Sequence, residues 1–205
     1  TIYYPMDNSE VDFYAYSPWG SLIKEETTKH YLYVVNLATQ TNQEALDLLY
    51  SNDVKGKKKT DKAVTLGFKH QLCKIILTVE PGAGVSADEM NGLSVKVNAQ
   101  NAIADFDLTA GALKAYAENA ADITFFKQTD AYIYEAILLP DAATTRTFEF
   151  DLNNGRDVPF IWNMGKALTA GSKYTYTVKL NRSGAEVSGQ IGPWNVEDSE
   201  QVDAN

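Results

Sequence analysis

The pattern of hydrophobic and polar positions along the chain is clearest in residues 63–79, which read AVTLGFKHQLCKIILTV. From Val64 to Phe68, apolar residues alternate with polar or small ones, as in a strand that buries one face. Residues 72–79 follow as a run rich in β-branched residues, and the turn signal Pro81-Gly82 ends it. This stretch predicts the first strands of a β domain that runs to the C-terminus.

The N-terminal third predicts two further strands and a short helix. Residues 11–16 alternate between apolar and polar positions with tyrosines on the outer face, and residues 31–36, YLYVVN, are typical of a strand. Thr41 and Glu44 form a capping-box pattern at the start of the segment 45–50. This pattern predicts a short helix.

Residues 53–62 separate the two halves of the chain and contain five lysines. We interpret them as a solvated, charged linker rather than as an anion-binding patch. We therefore predict an N-terminal β domain over residues 1–62, truncated or processed at its start and ending in this linker. A C-terminal β-sandwich domain is predicted over residues 63–205.

The second half of the chain repeats short alternating runs that are separated by turn residues, which indicates an antiparallel sandwich. Asn154-Gly155 is a hairpin signal because both residues tolerate positive φ. Residues 112–121, ALKAYAENAA, predict one short helix in this half. The whole chain is thus predicted to be all-β with one or two short helices. The further runs that we expect to form strands are residues 93–97, 103–108, 123–126, 132–139, 147–152, 158–162, 174–180 and 186–191.

Composition narrows the class of protein. The chain has 205 residues, of which 44% are hydrophobic, and this suffices for a substantial core in one or two domains. Its net charge of −9 argues against a nucleic-acid partner, which needs a basic face, and against binding to anionic lipid surfaces. An acidic, surface-exposed or extracellular protein fits this balance better.

The single cysteine, Cys73, excludes an internal disulfide framework. It lies in an apolar strand, so we predict a buried structural thiol. The sequence shows no signal peptide, lipid-attachment cysteine or transmembrane run, and it begins at Thr1 without an initiator methionine. We expect a processed or trimmed chain.

Candidate catalytic residues are few. His30 and His70 are the only histidines, and no nucleophile motif of the GxSxG type lies near His70. Together with one cysteine, they do not make up a usual structural zinc site unless carboxylates join them. We predict that His70 is a structural residue at a strand break or a sheet edge.

Two acidic patterns have structural explanations. Residues 151–157 place side-chain oxygens at alternate positions, like the start of a calcium loop, but the closing Glu of such a loop is missing and a hairpin explains them better. Asp105 and Asp107 share one face of a predicted strand, where we expect exposed acids rather than a glycosidase pair. We predict no catalytic, cofactor or metal site and no enzymatic activity.

Tyrosines are concentrated in the N-terminal strands and have two interpretations. They form either an aromatic platform for a sugar or packing pairs on a sheet face, since tyrosine favours strands. Packing is the preferred interpretation. The residues concerned are Tyr3, Tyr4, Tyr14, Tyr16, Tyr31 and Tyr33.

Six segments in a fixed order resemble the fimbrillin-like proteins of Bacteroidetes, the subunits of type V pili. The central segment resembles the F-x-H-x-L-x-K-I signature of that family, with its histidine at His70. Asp141 departs from the family pattern, in which Gln usually follows the proline. The segments are VDFYAYSP (residues 11–18), NQEALDLLYS (42–51), VTLGFKHQLCKIILTV (64–79), YEAILLP (134–140), AGSKYTYTVKLN (170–181) and IGPW (191–194).

The resemblance implies two transthyretin-like β-sandwich domains in an exported lipoprotein that is displayed at the outer membrane. It implies a structural or tip subunit whose partners are other pilus subunits. In related subunits a protease removes an N-terminal strand and a strand from a neighbour fills the groove, and the resemblance implies the same assembly for this chain. An open apolar edge is a template for such strand addition.

Family members usually carry a longer N-terminal region with a lipoprotein signal. Contact of this protein with a membrane is therefore expected only through a lipid anchor that lies outside this chain. The alternative function is a surface adhesin that does not polymerise and that binds a host glycan or protein through exposed tyrosines or Trp19.

Overall fold

The computed structural model describes residues 4–59, 63–115, 120–129, 132–155 and 158–194. Within these ranges the chain is all-β, with sixteen strands, one α-helix (α1, Gln43–Leu46) and one 3₁₀ turn at Glu89–Gly92. The strands are β1 Val11–Ser17, β2 Leu22–Lys24, β3 Tyr31–Asn36, β4 Leu49–Lys57, β5 Lys69–His70, β6 Cys73–Pro81, β7 Ser94–Asn101, β8 Ile103–Asp107, β9 Ala112–Ala115, β10 Ala120–Thr124, β11 Phe126–Lys127, β12 Ile133–Leu138, β13 Arg146–Asp151, β14 Phe160–Met164, β15 Ser172–Asn181 and β16 Gly184–Pro193.

Two antiparallel sheets contain the N-terminal strands. One has the order β1-β4-β5, and the other has the order β2-β3-β8-β9. Alternation along β3 and β8 directs one face of the second sheet inward, so that Val35, Ala104 and Phe106 are buried. These residues belong to a core that we call the N-terminal cluster, whose other buried members are Leu37, Leu48, Tyr50, Leu72, Leu108, Ile137 and Leu139.

Two further sheets contain the remaining strands, in the orders β11-β12-β6-β15-β16 and β10-β7-β13-β14. Every second residue is buried from Cys73 to Val79 on β6 and along β13, as expected for sheets that turn one face to a common core. That core, the C-terminal cluster, includes Ile75, Leu77, Val97, Phe148 and Val178. The ladder between β6 and β15 is parallel, whereas the other ladders between the described strands are antiparallel.

The structure confirms the all-β class and most of the predicted strands. The run at 31–36 forms β3, and the β-branched run at 72–79 corresponds to β6, which ends at Pro81 as predicted. The signal at Asn154-Gly155 lies in the connection between β13 and β14, which pair as an antiparallel hairpin. A second hairpin joins β15 to β16.

Two predictions around residues 53–68 are wrong. Residues 53–57, predicted as part of a linker, belong to β4 because they pair with β1, and this tertiary pairing outweighs their polar composition. Residues 64–68 alternate as a strand does but form no ladder; the paired segment is the two-residue β5. Residues 60–62 of the predicted linker lie outside the described residues.

The helix predictions need correction as well. Residues 112–115 and 120–121 of the predicted helix lie in β9 and β10, and residues 116–119 lie outside the described residues. β9 pairs with β8, so the sheet supplies the hydrogen bonds that a helix would otherwise provide. The helix predicted over residues 45–50 is only partly correct, because α1 spans Gln43–Leu46 and residues 49–50 belong to β4. The cap of α1 is Asn42, whose side chain accepts from the Ala45 N–H at 3.2 Å, rather than Thr41.

The sheets join the two predicted segments of the chain. β8 and β9 follow the predicted boundary between residues 62 and 63, yet they pair with β3 and with each other and contribute to the N-terminal cluster. The division into residues 1–62 and 63–205 stays a prediction. Any N-terminal unit built around this cluster takes strands from both segments.

Arg146 is the largest of the fully buried side chains and connects two loops to the sheet that contains β7 and β13. Its guanidinium donates to the Asp141 carboxylate, to the Ala143 carbonyl at 2.9 Å, to the Lys166 carbonyl at 2.5 Å and to Gln100 Oε1 at 3.2 Å. A buried cation is tolerated only when it is paired in this way.

We expect Arg146→Ala to lower the free energy of unfolding by about 3 kcal/mol, because buried acceptors lose a charged donor. Urea denaturation followed by circular dichroism measures this change. Lys166→Ala is the matched control, since it keeps the backbone carbonyl and removes only an exposed side chain; its effect should stay within about 0.5 kcal/mol. Equal effects of the two substitutions would contradict the assignment.

Candidate functional site

His70 is enclosed by two residues that are distant in sequence. Its Nδ1 lies 2.8 Å from Asp47 Oδ1, and its ring stacks on the Trp194 indole with centroids 3.9 Å apart and an interplanar angle of 11°. His70 is 8% exposed, and its Nε2 is buried without a hydrogen-bond partner among the described residues. The predicted sheet-edge position is correct, because β5 is an edge strand. No sequence signal pointed to Asp47.

Backbone contacts bring Trp194 to this position. The Trp194 N–H donates to the Gly171 carbonyl at 2.7 Å, and the Gly171 N–H donates to the Leu72 carbonyl at 2.9 Å. Gly171 has φ +70°, a conformation that favours glycine. Burial raises the pKa of Asp47 above its ordinary value, although the hydrogen bond from His70 opposes this effect. The arrangement supports a structural role for His70.

His30 forms a second histidine–aspartate pair, with Nδ1 2.6 Å from Asp107 Oδ2. Asp107 also accepts from the N–H groups of Thr109 and Ala110 at 2.8 and 2.9 Å. Burial acts to raise the pKa of Asp107, but these hydrogen bonds outweigh it and the pKa lies below its ordinary value. Asp107 is thus committed to a turn. Asp105 and Asp107 are partly buried rather than exposed as predicted, although the turn hydrogen bonds of Asp107 fit a structural role.

Cys73 is fully buried, as predicted, and its Sγ lies 3.0 Å from the Thr169 carbonyl oxygen. Burial raises the pKa of the thiol to about 12. The side chain therefore stays protonated at neutral pH and does not provide a thiolate nucleophile.

The residues of the calcium-like pattern stabilise a hairpin. The Asp151 carboxylate accepts from the Asn153 N–H at 2.7 Å, and the Asn153 side chain donates to the Gly92 carbonyl at 2.8 Å. Among the described residues, no group of three or more His, Cys, Asp or Glu side chains is arranged to hold a metal ion. Asp157, the last acid of the pattern, lies outside those residues. The absence of a metal, cofactor or catalytic site stays a prediction.

Most of the N-terminal tyrosines make packing contacts. The rings of Tyr16 and Tyr33 lie 5.3 Å apart, and Tyr4 meets Phe13 edge-on at 6.2 Å. Tyr14 is covered by the Lys55 ammonium, 3.4 Å from the ring centroid. Tyr31 is 46% exposed, and Tyr3 lies outside the described residues. These contacts favour the packing interpretation over a continuous sugar platform.

The sheet edges are the features of this molecule that relate most directly to assembly. β4 pairs with β1 along one side, but on its other side it meets only β5, at Leu49 and Tyr50. The rest of that side, residues 51–57, has no strand partner among the described residues. An unpaired strand edge offers N–H and C=O groups to an incoming strand.

Residues 63–68 run beside this free edge of β4 without forming a ladder. The Asp53 carboxylate accepts from the Gly67 N–H and from Ser51 Oγ, the latter at 2.7 Å, and these hydrogen bonds lower the pKa of Asp53. A cavity of about 480 Å³ lies between residues 63–65 and β4. The segment is thus attached by a side chain rather than by backbone pairing.

Gln40 closes a different edge, that of β12. Its side-chain amide accepts from the Ile137 N–H at 2.9 Å and donates to the Ile137 carbonyl at 3.0 Å, and it donates to the Leu37 carbonyl as well. The amide takes the place of a strand where the short β11 has ended. The sequence carried no signal for this role.

Known proteins resemble this chain over nearly its whole length. A sequence model of the family described as fimbrillin-like matches residues 1–194. A protein of Bacteroides uniformis named "Putative fimbrium subunit Fim1C" is 31% identical over 201 residues, which are 95% of this chain. The chain spans 65% of the length of that relative.

Solved structures share the fold. One described as a putative cell adhesion protein from Bacteroides uniformis superposes with a TM-score of 0.82 at 30% identity. The match covers 95% of this chain and 77% of the chain in that structure. Another, described in the same words and from Bacteroides ovatus, has a TM-score of 0.69 at 23% identity, and the match covers 92% of this chain and 70% of the other. In the described part of the chain, none of the helical segments has the length and apolar character needed to cross a bilayer.

We expect His70→Ala and Trp194→Ala each to destabilise the fold, and the two effects to be coupled by about 1 kcal/mol, as for a stacked ring pair. Urea denaturation of the two single variants and the double variant measures this coupling. Trp19→Ala, which removes an exposed indole, is the control and should show no coupling with His70→Ala. Additive effects of His70→Ala and Trp194→Ala would show that the stack contributes nothing.

Proposed function

Because the chain belongs to the fimbrillin-like family, we propose that it is a structural or tip subunit of a bacterial surface fimbria. The observation that carries this proposal is the family match over residues 1–194, which includes every described strand. The relative named as a fimbrium subunit, and solved structures named as cell adhesion proteins, support the same role at the cell surface.

We infer that subunits join by strand exchange, with other pilus subunits as the partners. The free edge of β4 supports this inference, because residues 51–57 have no strand partner on this side among the described residues, and the neighbouring segment contacts β4 through the Asp53 carboxylate. An incoming strand that displaces residues 63–68 gains a full backbone ladder with β4. The segment it displaces loses few backbone hydrogen bonds, so the exchange has a low cost.

The proposed architecture is a pair of transthyretin-like β-sandwich domains. The two hydrophobic clusters support this division, because one is built mainly on the sheets that contain β3 and β4, and the other on the sheets that contain β6 and β13. The proposed location is the outer membrane surface. Attachment there is proposed to use a lipid anchor.

Adhesion to a host glycan or protein without polymerisation is the second candidate function. It is favoured by the exposure of Trp19, which is 90% exposed, and by the names of the related solved structures. Enzymatic activity is not part of either proposal. A glycan array and a panel of matrix proteins test the adhesive role. The role is contradicted if no glycan or protein binds more strongly to the natural chain than to Trp19→Ala.

We expect protease-treated mixtures of this subunit and its neighbours in the fimbria to form oligomers that appear as ladders of bands on a gel. These oligomers should resist detergent and dissociate on heating, because a strand that is paired along its length with another subunit dissociates slowly. Denaturing electrophoresis of unheated and heated samples measures them. Asp53→Ala should speed ladder formation by freeing residues 63–68, while Glu80→Ala, which removes an exposed acid on β6, should leave the rate unchanged. Mixtures that never form such ladders would overturn strand exchange.

A further inference from the structure

Asn154-Gly155 lies in the connection between β13 and β14, beyond Phe150 and Phe160, the last paired residues of the hairpin. Gly155 is exposed and has φ +69°, a conformation that glycine adopts without strain. Beyond its chain neighbours, no heavy atom of the described residues lies within 4 Å of where a Cβ atom at Gly155 would be. The backbone is therefore open on the side where a side chain would lie.

The main-chain nitrogen of Gly155 has no competing role in the hairpin. Its N–H donates to no acceptor in the described part of the chain. A backbone group that is buried or hydrogen-bonded changes direction only after a local opening of the structure, whereas an exposed group needs no such opening. The Gly155 nitrogen can therefore turn toward Cγ, the carboxamide carbon of the Asn154 side chain.

A second Asn-Gly pair, Asn91-Gly92, has the same two residues in a different environment. It lies in the 3₁₀ turn, where the Asn91 N–H donates to the Asp88 carbonyl at 3.3 Å. The Tyr132 hydroxyl donates to Asn91 Oδ1 at 3.3 Å. Both the main chain and the side chain of Asn91 are thus held in place.

Gly92 is packed against the backbone that leads out of β13. A Cβ atom at Gly92 would lie 2.5 Å from the carbonyl oxygen of Leu152, and the Asn153 side chain donates to the Gly92 carbonyl at 2.8 Å. These contacts leave the Gly92 nitrogen little room to turn toward the side chain of Asn91. The fold therefore treats two identical dipeptides differently.

We propose that Asn154-Gly155 is a site of spontaneous covalent modification, at which the folded protein converts Asn154 into aspartate and isoaspartate. The fold protects Asn91-Gly92 from the same reaction. Asparagine is a thermolabile residue, and the reaction needs no enzyme because both reacting groups belong to the same short segment of chain. Water is the co-reactant. The proposal does not depend on the fimbrial role.

The reaction begins when hydroxide removes the proton of the Gly155 nitrogen, which then attacks Asn154 Cγ. A bond forms between these two atoms, the bond from Cγ to Nδ2 breaks, and Nδ2 leaves as ammonia after it takes up a proton from water. The product is a succinimide ring. Water opens the ring at Cγ to give aspartate, or at the main-chain carbonyl carbon to give isoaspartate. No atom is oxidised or reduced.

The modification changes both charge and backbone length at the hairpin. Each event replaces a neutral amide by a carboxylate in a chain whose net charge is already −9. Isoaspartate also carries the main chain through its side chain, which adds one carbon between β13 and β14. The new carboxylate lies three residues from Asp151, which accepts from the Asn153 N–H at 2.7 Å in the same turn.

Incubation of the purified, folded chain at mildly alkaline pH tests the proposal. Tandem mass spectrometry of a protease digest measures the fraction of Asn154 and of Asn91 that has lost its amide. Asn154 should react about tenfold faster than Asn91 or more, because Asn91 reacts only after a local opening. In urea, where the contacts of Gly92 are lost, the two asparagines should react at similar rates.

Hydroxylamine gives an independent readout, because it attacks the succinimide and cleaves the chain there. The folded chain should be cleaved after Asn154, and the unfolded chain after both Asn154 and Asn91. Asn154→Gln should abolish cleavage of the folded chain, since glutamine closes the corresponding larger ring slowly, while Asn91→Gln is the matched control and should leave the cleavage unchanged. Circular dichroism of each variant verifies that it is folded.

Three outcomes overturn the proposal. It fails if Asn154 keeps its amide in the folded chain while it reacts in urea, because the hairpin would then protect it. It fails if Asn91 and Asn154 react at the same rate in the folded chain, because the packing of Gly92 would then have no effect. It also fails if the folded Asn154→Gln variant is cleaved by hydroxylamine as fast as the natural chain.

Discussion

The parallel ladder between β6 and β15 is the constraint on which the rest of the structure depends. Parallel neighbours cannot be joined by a tight turn, so a long excursion of the chain must separate β6 from β15. The long excursion between them supplies β7, β10, β13 and β14 as the opposite layer of the C-terminal core, and it sends β8 and β9 to the N-terminal sheet. The excursion therefore contributes strands to both clusters.

The same register explains why His70 and Trp194 meet. Lys74 pairs with Lys173 near the start of β6, and β15 pairs with the antiparallel β16 so that Ser172 lies opposite Pro193. The end of β16 is thus placed at the beginning of β6, directly beside β5. The stack on His70 follows from the ladder and holds the end of the C-terminal sheet against the N-terminal cluster, with which Trp194 is packed.

Assembly and solubility place opposite demands on the sheet edges of this molecule. The Gln40 amide satisfies Ile137 and closes the edge of β12, whereas residues 51–57 of β4 keep one side free apart from a segment held by Asp53. An edge closed by a buried side chain resists pairing with other chains, and an edge covered loosely permits it.

Burial of Cys73 and the turn hydrogen bonds of Asp107 leave these residues with structural rather than chemical roles.

The sequence by itself determined the all-β class, the strands with clear alternation or β-branched runs, the hairpin at Asn154-Gly155 and the burial of Cys73, because these depend on local preference and on the period of the hydrophobic pattern. Only the tertiary structure decided that the lysine-rich residues 53–57 form a strand, that residues 64–68 do not, and that residues 112–115 pair with β8 instead of forming a helix. The tertiary structure also decided which residues contact His70 and that the Gln40 side chain closes the edge of β12. The physical reason is that a ladder partner or a side-chain acceptor far along the chain contributes hydrogen bonds that no local pattern encodes.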